Sequence, residues 1–88
     1  MTRRSSDLTE AKRAIREKVI NLAARRNVDA RTLKDADMIP ESGALDSVAI
    51  LELIMWFEMT FDLTIAQSDL TLDNFGTVDA MASYLQRE

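Results

Sequence analysis

Asp46 and Ser47 stand together where a polar stretch gives way to a long apolar run, in SGALDSVAILELIMWFEMTF at 42–61. Ser47 has the side chain that could act as a nucleophile or as an acceptor in group transfer. A hydrolytic serine needs a general base, and the chain has no histidine, no cysteine and no lysine in the neighbouring segment. The pair offers instead a carboxylate able to cap a helix and a hydroxyl in its first turn, where free N–H groups and the helix dipole favour a phosphate. Two readings of Ser47 follow: simple helix capping, or acceptance of a phosphodiester installed by another enzyme. Without cysteine or histidine there are no disulfides, thiolates or zinc sites, so any chemistry must be borrowed.

A chain of 88 residues, 47% hydrophobic, with two glycines and one proline, predicts one compact domain over 1–88, residues 1–7 forming a flexible N-terminal segment. MTRRSSD leads into no apolar signal region and no apolar run is long enough to span a membrane, so the expectation is a cytoplasmic monomer. Charge is segregated: residues 1–34 hold ten Lys and Arg against four acids, a net of +6, whereas residues 35–88 hold Arg87 against eleven acids, a net of −10. The basic charges fall on the solvent side of an amphipathic helix without interleaved aromatics, which favours a solvated face over nucleic-acid binding.

Leu8, Ala11, Ile15, Val19 and Leu22 recur at helical spacing and predict a first helix from about Thr9 to Arg26, with Asp7 and Glu10 as its capping signature and Asn27 as its end. Val28 to Asp46 shows no sustained period and reads as a long loop anchored by Leu33, Met38, Ile39 and Leu45, with a possible helical turn at Ala30 to Lys34. A second helix runs from Ser47 to about Phe61, capped by Asp46. A short one follows near Leu72 to Phe75, and a last one spans Val78 to about Gln86, capped by Thr77, with Val78, Met81, Ala82 and Leu85 facing the core. The fold class is therefore all-α, a small four-helix bundle of three main helices and one short helix, with a long first connection.

On a wheel of about 100° per residue, Ile50, Leu53, Ile54, Phe57 and Phe61 form the core face of the second helix. Val48, Leu51, Met55 and Met59 form a second apolar sector, with Glu52 beside it and Trp56 on the other flank of the core. Leu51 is the member with equal claim to packing under the loop. The others read as a patch reserved for partners, since methionine supplies adaptable contact surface. Trp56 fits either a shield of the bundle or an exposed anchor.

S-G-A-L-D-S-V-A-I-L-E-L-I-M at 42–55, Ile65, and N-F-G-T-V at 74–78 resemble the acyl carrier protein family and its peptidyl and D-alanyl carrier relatives. The resemblance covers essentially the whole chain. It implies that Ser47 carries 4'-phosphopantetheine, transferred from coenzyme A by a phosphopantetheinyl transferase with Mg²⁺, and that Asp46 belongs to the motif that the transferase recognises. It also implies a protein that catalyses nothing itself and holds an acyl or aminoacyl cargo as a thioester on the arm. Implied partners are the transferase, an adenylate-forming acyl or aminoacyl ligase, and downstream acyltransferases or synthases.

The pattern departs from the fatty-acid type. Gly43 lies four residues before Ser47 where three is usual, Ala49 replaces an acid, and Met59 replaces the acid after Glu58, while Glu52 and Glu58 match acidic positions. The S-G-x-L-D-S and N-F-x-T-V stretches are closer to stand-alone D-alanyl or aminoacyl carriers and to carriers of specialised biosynthesis. Docking is then expected to rest on Val48, Leu51, Met55 and Trp56 more than on charge. The competing reading is a non-catalytic helical adaptor that binds a partner through Val48, Met55 and Met59.

Overall fold

The computed structural model describes residues 4–87, with side chains from residue 9 to residue 86. Five α-helices follow in order: α1 (Arg4–Ala24), α2 (Ile39–Ser42), α3 (Ser47–Thr60), α4 (Leu72–Phe75) and α5 (Val78–Arg87), with a 3₁₀ turn at Gln67–Asp69. No strand occurs among the described residues. The three main helices and the short α4 are those expected; α2 is an addition inside the long connection.

Ala11, Ile15, Val19 and Leu22 are buried, so the expected stripe of α1 faces the core, joined by Ala23. The Leu8 side chain lies outside the described residues. The helix begins at Arg4 and not near Thr9, which puts Asp7 inside it and removes Asp7 as its cap; residues 1–3 lie outside the described residues. The helix also stops at Ala24, two residues before the expected Arg26. Asn27 then adopts a left-handed φ of 61°, its N–H donating to the Ala24 carbonyl at 3.0 Å and the Val28 N–H to the Ala23 carbonyl at 2.9 Å. This is a Schellman-type ending, and asparagine tolerates its left-handed position better than most residues.

The connection from Val28 to Asp46 is held by its own anchors. Leu33, Ile39 and Leu45 are buried as expected, with Ala30 and Ala44, while Met38 is half-buried. Residues Ala30–Lys34 make a single hydrogen-bonded turn, Leu33 N–H to Ala30 carbonyl, and no helix. Arg16 of α1 reaches into the loop, donating to Asp35 at 3.2 Å and to the Arg31 carbonyl at 3.1 Å. The far side is stitched by the Ile39 N–H to the Gly76 carbonyl at 2.7 Å and the Asp79 N–H to the Asp35 carbonyl at 3.0 Å. Satisfying these backbone groups internally is what lets so long a connection stay ordered.

Helix α1 packs against both α3 and α5, and α4 against α5. Val78, Met81 and Ala82 of α5 are fully buried, and the Thr77 hydroxyl caps it by accepting the Ala80 N–H at 2.9 Å. Leu85 is only half-buried; Tyr84 takes the inward place. Its ring packs on Phe75 and its hydroxyl donates to Asp69 at 2.8 Å, which allows an amphipathic tyrosine to sit inside.

Candidate functional site

The site begins with the turn that delivers the chain into α3. Pro40 opens α2, where its missing N–H costs nothing, and Gly43 closes it with a left-handed φ of 81°. The Ser42 hydroxyl donates to the Ile39 carbonyl at 2.7 Å and accepts the Ala44 N–H at 3.2 Å. Ala44 and Leu45, both buried, then seat the chain on the core immediately before Asp46.

Asp46 is the N-cap of α3, as expected, its Oδ1 accepting the Ala49 N–H at 2.9 Å. Its other oxygen faces Arg26, with Nε to Oδ2 at 3.6 Å, while Arg26 Nη1 donates to the Ala44 carbonyl at 3.1 Å. The guanidinium thus ties the end of α1 to both sides of the turn. Ser47 is exposed in the first turn of α3, and neither its hydroxyl nor the N–H groups of Ser47 and Val48 have a partner among the described residues. No acidic residue occupies that first turn after the cap.

Along α3 the two faces separate cleanly. Ala49, Leu53 and Phe57 are buried, while Ile50, Ile54 and Phe61 pack partly buried against the same core. Val48, Leu51, Met55 and Met59 are 68%, 60%, 61% and 81% exposed, so all four expected members of the outer stripe, Leu51 included, face solvent. Leu51 therefore does not pack under the loop. Ala49, at a position where an acid is usual, is buried and has no role on the outer surface. Trp56 is half-buried and presents its ring edge-on to Phe61, with centroids 5.9 Å apart. Its free side lines an open groove between α1 and α3, with Lys18 and Arg25 on one wall and Glu52, Met55 and Met59 on the other.

The acidic positions of α3 are all engaged within the chain. Glu52 faces Arg25 at 3.6 Å. Glu58 turns to the following loop and accepts the Ile65 N–H at 2.8 Å, so it holds that loop. Arg25 and Arg26 were not legible as site residues. The only signal was the concentration of basic residues in the first helix, which does not say whether a charge meets solvent or a neighbouring helix. Four of those residues, Lys12, Arg16, Arg25 and Arg26, form ion pairs with other elements.

A family model described as a phosphopantetheine attachment site matches residues 13–85, which include the whole turn, α3 and the groove. Among curated proteins, the chain is 38% identical over 66 residues to an acyl carrier protein of Onion yellows phytoplasma (strain OY-M), covering 75% of this chain and 84% of that one. It is also 38% identical over 72 residues to an acyl carrier protein of Aster yellows witches'-broom phytoplasma (strain AYWB), covering 81% and 92%. No solved structure gives a significant match.

Proposed function

The chain belongs to the acyl carrier protein family, non-catalytic carriers that hold acyl groups on a covalent 4'-phosphopantetheine arm, and we propose that Ser47 is the residue that bears the arm here. The observation that carries this reading is the exposed, unpartnered Ser47 hydroxyl at the capped start of a 14-residue helix. The surroundings suit a phosphodiester. Two free N–H groups and the positive end of the helix dipole lie at the attachment point, no acid in the first turn opposes it, and Arg26 adds a cation beside the cap.

The arm supplies a terminal thiol for the cargo, which the cysteine-free chain lacks. The chain's own part is to position the acceptor oxygen. In the transfer, Ser47 Oγ forms a bond to phosphorus and loses its proton, while the nucleotide portion of coenzyme A leaves. The adjacent Asp46 carboxylate is occupied by the Ala49 N–H and Arg26, and there is no histidine, so this chain offers no free base beside the hydroxyl and the proton would leave to the transferase or to water in its site.

Carriers of this kind work with transferases and synthases, and no helix among the described residues is long and apolar enough to cross a membrane. Within that frame we read residues 1–88 as a single cytoplasmic carrier domain, monomeric and without a nucleic-acid partner. Its loading enzyme would be an adenylate-forming acyl or aminoacyl ligase. Its partners would read Asp46, Glu52 and Trp56 together with the outer stripe Val48, Leu51, Met55 and Met59, whose exposure supports that use.

Incubation of the purified chain with coenzyme A, Mg²⁺ and a broad-specificity phosphopantetheinyl transferase tests the assignment by mass spectrometry. The wild type is expected to gain one phosphopantetheinyl group and Ser47→Ala none. A Ser47→Ala chain that is still modified would place the arm elsewhere.

A further inference from the structure

Residues 46–60 contain three acids, Asp46, Glu52 and Glu58, and no Lys or Arg. Taken alone, this surface would attract a basic partner. The fold supplies cations from another element. Arg26 faces Asp46 and Arg25 faces Glu52, each at 3.6 Å, while Lys18 lines the same groove wall as Arg25 and has no acidic partner among the described residues. Glu58 is committed to the Ile65 N–H. Two cations just past the end of α1 therefore stand against two acids of α3 and its cap, with Lys18 of α1 beside them, and the charges share the surface with the four exposed apolar residues.

We propose that the end of α1 and the turn after it, through Lys18, Arg25 and Arg26, are a built-in counter-charge for α3, and that they select enzymes whose docking surface is apolar and nearly neutral over enzymes whose docking surface is strongly basic. This rests on the reading of α3 as the docking face. Exposed ion pairs of this length add little stability. Their effect on recognition is different, because an approaching surface senses the sum of charges within about one Debye length, about 8 Å at physiological salt. Arg25 and Arg26 offset two of the three acids that a basic cleft could find, and Lys18 adds a further positive charge on the same groove wall. Specificity here acts against the wrong partner as much as for the right one.

The test uses as probe a phosphopantetheinyl transferase with a basic carrier-docking surface, titrated calorimetrically with the chain at low and at high NaCl. It is run on both the wild-type and Ser47→Ala backgrounds, so that the result does not depend on the arm. Arg25→Gln is expected to bind about threefold more tightly than its parent near 50 mM NaCl, the gain vanishing near 300 mM. Glu52→Gln in the Arg25→Gln chain should return binding to its parent's level, and alone should weaken it about threefold at low salt. Lys18→Gln, on the same wall, should act in the same direction as Arg25→Gln. Circular dichroism on each variant confirms that the helices are retained. Equal affinities and equal salt dependence for wild type, Arg25→Gln and Lys18→Gln would overturn the proposal. Failure of the Ser47 assignment would appear separately, as a Ser47→Ala chain that still gains the phosphopantetheinyl mass, whatever the binding results.

Discussion

The two oxygens of Asp46 face different neighbours, Oδ1 the Ala49 N–H and Oδ2 the Arg26 guanidinium, so substitutions there separate capping from charge. Asp46→Asn keeps an oxygen for the cap, and its denaturation midpoint should stay near that of the wild type. Asp46→Ala should lose about 1 kcal/mol in urea unfolding. If the transferase reads the carboxylate, both are expected to be modified about tenfold or more slowly in a coenzyme A assay, the scale of one lost charged hydrogen bond. Asp29 shows a purely local effect. The Arg31 side chain and backbone N–H both donate to it at 3.0 Å and lower its pKa from 3.8 to about 2. A depressed carboxylate stabilises the fold above its unfolded pKa, and that contribution disappears as pH falls through the folded one, here between about 4 and about 2. NMR titration should place the Asp29 midpoint near 2, and Arg31→Ala should return it toward 3.8. Both groups are fully exposed, so this window should be visible in the titration with little effect on melting.

Helix α3 has two apolar faces that answer differently to substitution. Met55→Gln and Met59→Gln should leave the melting temperature essentially unchanged, because exposed sites contribute little, yet together lower kcat/KM with the transferase about tenfold. At the junction of α4, α5 and the long connection, Gly76 leaves no space for a larger residue: a Cβ there would meet the Leu72 carbonyl oxygen at 2.5 Å and the Met38 Cε at 2.9 Å. The methionine end can move, but the backbone oxygen cannot without disturbing the end of α4. Gly76→Ala is expected to cost about 1–3 kcal/mol in thermal unfolding.

The same elements show what could be read from sequence. Helices α1, α3 and α5 were legible because each repeats apolar residues over several turns, and Asp46 and Thr77 mark two starts by side chains suited to capping. The true start of α1 was hidden because Asp7 and Glu10 mimic a cap inside a helix that continues backward through polar residues. Helix α2 is a single turn, too short for any period to emerge. The pairings Arg25–Glu52 and Arg26–Asp46 depend on how α1 crosses α3, which local pattern does not encode. The capped start of α3 at Asp46 and Ser47 was legible because the two residues are contiguous; the cations around it were not, because they are neighbours only in space.

Across the whole molecule, the centre is aromatic. Phe57 is fully buried, with ring centroids 5.1 Å from Phe61 and 5.6 Å from Phe75, and Phe75 continues to Tyr84 at 4.9 Å. This chain of rings joins α3, α4 and α5. Phe57→Ala should cost about 3–5 kcal/mol, a large part of the roughly 5–15 kcal/mol typical of a domain, and a cooperative melt by circular dichroism should shift down steeply or vanish. The outer face is chemically different: among the described methionines Met81 is buried and Met38 half-buried, whereas Met55 and Met59 are open to solvent. Peroxide should therefore convert those two to sulfoxides first, turning an adaptable apolar surface polar while the core is untouched. A mildly oxidised carrier would then melt like the native one and, with α3 as the docking face proposed above, bind its enzymes more weakly until methionine sulfoxide reductases restored it, making this surface its most redox-vulnerable part.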